Sequence, residues 1–298
     1  MRGIGLMCAA IAVFTVMTAL IKAAAVPAGQ AVFFRSFFAL PVIGLWLWAI
    51  KDLRDGLKTV RPWNHVIRGT AGTMAMGLGF AGLAYLPLPE VTAIRFATPI
   101  MIVIFAALIL GEKFRAVRMV AVFTGLIGVM IVMWPRLSFG GGDGALFGAV
   151  VTLASAALAA LAQIFVKSMA GTERTAAIVF YFSVTAAVLS LVTIPFGWVW
   201  PTGAQLALLI GAGFAGGVGQ ICLTSSYRFA EASTLAPFTY TGMIWALIIG
   251  YFVFSEVPTM PMLLGAGLVI LSGIAIVLRE QALGLKKTAQ RKLMAAGK

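Results

Sequence analysis

Apolar runs of about 20 residues, each the length a helix needs to cross a hydrocarbon core of about 30 Å, recur along this chain with short polar interruptions. Ten are readable, at approximately 3–23, 30–50, 65–86, 90–110, 117–134, 145–167, 174–196, 204–226, 232–254 and 260–278. With 61% hydrophobic and 10% charged residues among 298, too little polar material remains to coat a soluble domain. A bilayer offers no partner for a bare backbone amide, so a spanning segment is a helix or a strand of a closed barrel. These runs are too long and too evenly apolar for alternating barrel strands. The expected fold class is all-α integral membrane, with ten transmembrane helices.

The net charge of +13 raises nucleic acid as a partner, but the placement of the cations favours membrane orientation. With the N-terminus cytoplasmic, the inner segments hold seventeen of the 22 Lys and Arg residues, including Lys51, Arg54, Lys58, Arg61, Lys113, Arg115, Lys167 and Arg174. The outer segments hold only Lys22 and Arg136, while Arg35, Arg68 and Arg95 fall within spans. This is the positive-inside bias, and it predicts that both termini of a multi-pass protein lie in the cytoplasm of a bacterial-type inner membrane. The basic tail, 279–298, has no aromatics for base stacking, so it is expected to sit near anionic lipid and to bind no nucleic acid.

Cys8 and Cys222 sit inside spans one and eight, where free Cys is ordinary small packing material. His65, the single histidine, stands at the entrance of span three, too isolated for a metal site. No cofactor is expected. Span one resembles a signal peptide, but its counterpart in the second half is a mid-chain helix, so it is expected to be retained.

That counterpart belongs to a repeat. Gly3 and Lys22 match Gly148 and Lys167 at a separation of 145, and Gly69, Gly77 and Tyr85 match Gly211, Gly219 and Tyr227 at 142. Glu112 and Glu256, 144 apart, each close an apolar span, in ALILGEKF and GYFVFSEVP. The domain expectation is one five-helix repeat at 1–135 and a second at 145–278, followed by the tail. Five is odd, so the second copy enters the membrane inverted, placing Glu112 on the cytoplasmic side and Glu256 on the periplasmic. Inverted repeats supply the pseudo-two-fold of alternating access, although duplicated helical folds also make pores.

The segments VFFRSFF around Arg35, EVTAIRFATPIMIVIFAALILGEKF ending at Glu112, GLIGVMIVMWP, APFTYTGMIWALIIGYFVFSEVP and LLGAGLVILSGIAIVL together resemble the drug/metabolite transporter superfamily. Within it, the chain is similar over nearly its whole length to the EamA-type ten-helix transporters. That resemblance implies transport of a metabolite: amino acids and their derivatives, nucleotide sugars, riboflavin-type vitamins or S-adenosylmethionine. It also implies a central cavity lined by spans one, three, four, six, eight and nine.

Charges inside a bilayer are costly, and so they mark candidate sites. Glu112 and Glu256 stand at helix ends, where closing the helix and its following loop is the plainer role. Glu90 begins span four, where the helix dipole favours a carboxylate, and coupling by a proton or another ion is compatible with it. Arg35 and Arg95 each enter about five residues past a helix start, and neither has a cationic match in the other half. Snorkelling toward headgroups explains both; of the two, Arg95 is the better candidate to recognise a carboxylate or phosphate, because the resemblance implies that span four lines the central cavity, with an internal pair to Glu90 as the competitor. Gln163, Gln220, Tyr240 and Trp245 lie within apolar runs and supply the polar and aromatic handles of a ligand pocket, unless they only join and pack helices. Pro41, Pro99, Pro195 and Pro237 interrupt spans, with Pro99 and Pro237 in the paired helices four and nine as candidate hinges. Gly213 and Gly217 make a GxxxG spacing for close helix approach.

Enzyme activity is disfavoured: no Asp lies within a span, and no phosphate-binding Gly loop is followed by Lys. The expected function is secondary, non-ATP transport of a small organic metabolite by alternating access. An amino acid or derivative leads, riboflavin-type vitamins or S-adenosylmethionine follow, and a channel or membrane scaffold is the alternative of another class. The substrate-binding set is Arg95, Gln163, Gln220, Tyr240 and Trp245, and the structural or gating set is Arg35, Glu90, Pro99, Glu112, Pro237 and Glu256. The partners are the small-molecule substrate and the lipid bilayer, and the residues specify no oligomeric state.

Overall fold

The computed structural model describes residues 2–110, 143–169, 171–229, 238–239, 241–268, 270 and 271, with single positions 124, 127, 128, 130, 131, 134 and 274, and without the side chains at 99, 103, 106–110, 143, 167 and 243. Among the described residues the regular structure is helical, with no strand. The helices are α1 (Arg2–Ala24), α2 (Ala28–Phe37), α3 (Ala39–Ala49), α4 (Pro62–Gly82), α5 (Leu88–Arg95), α6 (Ala97–Leu110), α7 (Asp143–Met169), α8 (Thr175–Leu191), α9 (Gly203–Phe229) and α10 (Thr241–Phe254). Residues 260–268 are helical as well. Arg2–Ala24, Ala28–Ala49, Gly144–Val166 and Gly203–Phe229 are long and apolar enough to cross a membrane, and α8 and Ile244–Phe254 are shorter apolar helices. Glu112, Pro237, Tyr240, the tail, most of span five and the end of span ten lie outside the described residues.

Prolines set the breaks. Pro41 and Pro99 lack the amides that would donate to Phe37 and Arg95, and α2 and α5 end at those two residues before α3 and α6 resume. Span seven, expected to run to 196, stops as α8 at Leu191. Pro195 has no amide for the Leu191 carbonyl, and Gly197 follows at φ +89°.

The main packing runs between the halves: α1 lies on α9 and α4 on α7, while α2 contacts α8 and α5 contacts α10. Small residues let the backbones meet. A Cβ at Gly82 would stand 2.1 Å from Thr152 Oγ1, and one at Gly217 would stand 3.2 Å from Ala39 Cα. One at Gly213 would stand 2.3 Å from Phe38 Cβ, so the GxxxG pair seats the α2–α3 break on α9.

Candidate functional site

At one end of the bundle, α1 finishes with Lys22 in its last turn, and Ala25 and Ser255 adopt φ of 50° and 54° to turn the chain out of α1 and α10. The amide of Glu256 then donates to the Gly250 carbonyl at 2.9 Å. Its carboxylate pairs through Oε1 with Lys22 and accepts at Oε2 from the Leu88 amide at 3.0 Å. Leu88 opens α5 between two prolines, Pro87 and Pro89, which have no amides, so Glu256 satisfies the donor that this terminus offers there. Lys22 also donates to the Leu86 carbonyl at 3.2 Å. A Cβ at Gly250 would stand 2.9 Å from Pro89 Cγ and 3.2 Å from Glu256 Oε2, so glycine is what lets α10 approach this junction. One ion pair therefore ties α1, α5 and α10 together.

At the other end, Glu173 gathers the segment before α4. Its Oε1 accepts from Thr59 Oγ1 at 3.0 Å and from the Val60 and Arg61 amides at 2.9 and 2.8 Å. Its own carbonyl accepts from Arg228 at 3.2 Å, and His65 Nε2 stands 3.5 Å from Oε2. Burial pushes this carboxyl up, but the hydrogen bonds to its charged form together outweigh burial and hold it below its ordinary value. Arg174 pairs with Asp52 in partly exposed positions, where an ion pair adds little.

The expected substrate-binding residues are dispersed. Arg95 ends α5, and its guanidinium carbon stands 3.9 Å from where a Cβ at Gly79 of α4 would lie. Beside it, Ser155 of α7 donates to the Ala75 carbonyl at 2.6 Å. Further along α7, Gln163 accepts from Tyr227 of α9 at 3.4 Å. Gln220 is buried and turns to Thr224 of its own helix at 3.5 Å, and Trp245 is 42% exposed. Glu90 is buried in the first turn of α5.

A tighter constellation lies elsewhere. Arg35 of α2 and Arg68 of α4 are 2% and 5% exposed, and both face the Phe182 ring of α8. Their guanidinium carbons are 5.3 and 3.7 Å from the ring centroid, which puts them within about 9 Å of each other. Gly72, one turn after Arg68, makes the seat: a Cβ there would stand 2.8 Å from Phe182 Cε2. Gly216 of α9 does the same for Arg35, with 2.8 Å to Nε. Arg35 Nη2 reaches the Gly216 carbonyl only at 3.5 Å. Arg35 Nε and Nη1, Arg68 Nε and Nη1, Ser36 Oγ and Ser183 Oγ have no hydrogen-bond partner among the described residues. A cation–π contact is worth about 0.5–2 kcal/mol, whereas an intramembrane Arg costs about 3 kcal/mol or more, so one ring does not compensate two guanidiniums.

Arg68, Phe182 and Glu173 were not among the expected site residues. Glu173 has no distinguishing local pattern, and its role comes from packing. For Phe182 the signal was present: VFFRS at 32–36 and VFYFS at 179–183, 147 apart, align Arg35 with Phe182 and Ser36 with Ser183.

The sequence profile of the EamA-like transporter family matches residues 1–134 and again 146–279. A riboflavin transporter of Rhizobium johnstonii is 30% identical, over 86% of this chain and 83% of its own length. An S-adenosylmethionine uptake transporter of Rickettsia felis is 29% identical, over 88% and 85%. The pseudopaline exporter CntI of Pseudomonas aeruginosa is 29% identical, over 88% and 91%. A crystal structure 19% identical superposes with a TM-score of 0.68 over 94% of this chain and 98% of that one, a likeness of fold.

Proposed function

Because this chain belongs to the EamA-like transporter family, we propose that it carries a small organic metabolite across a bacterial inner membrane by alternating access, without an ATP motor. The observation that supports this most is the crosswise packing. Exchange of the halves turns the α1–α9 pairing into the α7–α4 pairing and returns α2–α8 and α5–α10 to themselves. An inverted repeat packs in this way, and its two halves can trade conformations around a site between them.

An amino acid or amino-acid derivative is the leading cargo, with S-adenosylmethionine and riboflavin-type vitamins next, in keeping with what the relatives are named for. Those names include both uptake and export, so we commit to a carrier and to no direction. Arg95, Gln163, Gln220, Tyr240 and Trp245 are the cargo contacts we assign in α5, α7, α9 and the span of α10. Glu90, Pro99, Glu112, Pro237 and Glu256 are assigned to coupling, hinge and closure, with Lys22–Glu256 as the closure of its end of the bundle.

Reconstitution tests this. In proteoliposomes loaded with each cargo class, a carrier gives saturable flux that unlabelled cargo accelerates by exchange and competes from the outside. Flux that never saturates identifies a pore and sinks the proposal. R95A separates the cargo contact from the scaffold, and P99A, which restores the missing amide at the α5–α6 break, slows exchange where that break flexes.

A further inference from the structure

The two halves stop matching at the point where they meet. Arg35 and Phe182 occupy equivalent places in the 32–36 and 179–183 segments, each seven residues after the first residue of its helix, about 10 Å along it. They also face each other, with the Arg35 guanidinium carbon 5.3 Å from the Phe182 centroid. A residue that touches its own repeat equivalent lies at the pseudo-two-fold, on the interface between the repeats; spans two, three and seven meet here, and span three is among those the family resemblance places on the central cavity. Ser36 and Ser183 are equivalent as well, and both bury hydroxyls without a partner among the described residues. Arg68 joins from α4; its equivalent at the separation of 142 is Ile210. The first half thus contributes two guanidiniums to the junction, where the second half offers a ring and an aliphatic chain.

We propose that Arg35 and Arg68, set against Phe182 at the junction of α2, α4 and α8, form a binding site for an oxyanion of the cargo, a carboxylate or a phosphate. The inference rests on the transport reading only for what carries the anion. Four guanidinium nitrogens in the site are buried without a partner among the described residues. Hydrogen bonds from guanidinium to an oxyanion are short, about 2.7–2.9 Å, and the two guanidinium carbons lie no more than about 9 Å apart, within the reach of one such group accepting from both. Arginine in this setting stays charged and offers a planar fork, which lysine does not. Gly216 and Gly72 leave room for the guanidinium and the ring at the cost of side-chain packing, so the pair is seated by the surrounding helices. A purely structural pair has no use for two like charges on one ring.

The test uses the full-length protein in phosphatidylcholine nanodiscs, with chloride replaced at constant ionic strength by acetate and then by inorganic phosphate. The wild-type unfolding midpoint is expected to rise saturably by several degrees. R35Q and R68Q are expected to lose that response and, in chloride, to melt at or above the wild type, because an uncompensated charge has been removed. R35K and R68K, which keep the charge without the fork, are expected to retain a weaker response. Absence of an oxyanion response in the wild type overturns the site, as do R35Q and R68Q variants that melt lower in chloride and still respond. A response already saturated in phosphatidylglycerol nanodiscs, and lost in R35Q, assigns the anion to a lipid headgroup and overturns the cargo assignment. Counterflow of carboxylated amino acids separates the two proposals. Flux unchanged in R35Q and R68Q overturns the site and leaves transport standing, whereas an oxyanion response with no flux of any cargo overturns transport and leaves the site.

Discussion

Lys22 and Arg35 are both cations set where the two halves meet, yet they are treated oppositely. Lys22 has a carboxylate from the second half, Glu256, and a backbone carbonyl, Leu86, within reach. Arg35 shares a phenyl ring with another guanidinium and has two nitrogens without a partner among the described residues. A buried charge that serves architecture is accompanied by its counter-charge in the same chain, because leaving it unpaired is the costly state. Arg35, buried without a counter-charge among the described residues, fits the oxyanion site proposed above. The chain thus separates a closure, which is electrically complete, from a site that an anion completes.

The largest effect should come from breaking the second member of this comparison. R68Q is expected to lower flux of a carboxylated cargo on the order of 100-fold, the equivalent of about 3 kcal/mol lost with a desolvated charge pair. A counterflow assay reads it, and near-normal flux would return Arg68 to simple packing. The closure should respond in stability: K22M is expected to destabilise the protein by about 2–3 kcal/mol, less than for a fully buried pair because both side chains retain some exposure. Unfolding of K22M, E256M and the double variant gives the coupling. A double variant no better than the sum of the singles would remove the ion pair from the account.

G216A sharpens the boundary between the two. Its methyl would stand 2.8 Å from Arg35 Nε, an overpacking worth about 1–3 kcal/mol that should weaken the oxyanion response more than the midpoint in chloride. The smallest effect concerns Glu173. Its folded-state pKa lies below the ordinary 4.5, so its contribution is present above that value and is lost as pH falls through the folded one. E173Q should flatten the fall of the unfolding midpoint below about pH 4.5; an unchanged slope would show that other groups carry the acid sensitivity.

The helical, membrane-spanning character was legible because it is local: twenty apolar residues and a missing proline amide act wherever the chain goes. The asymmetry between the halves was legible too, and it directed attention to Arg35 and Arg95. Gln163, read as a handle for a ligand, has a partner in Tyr227, 64 residues on, that no spacing argument provides, whereas Gln220 turns to Thr224 one turn on in its own helix.

Sequence by itself determined the apolar, helical character of the chain and the breaks at Pro41 and Pro99, since each depends on composition or on residues a turn apart. Tertiary structure decided which charges have partners. Lys22 and Glu256 are 234 residues apart, and Arg35 meets Phe182 only because α2 packs on α8. Pairing of charges in lipid depends on a few ångströms of helix approach set by glycines at distant positions, and so it belongs to the packed bundle.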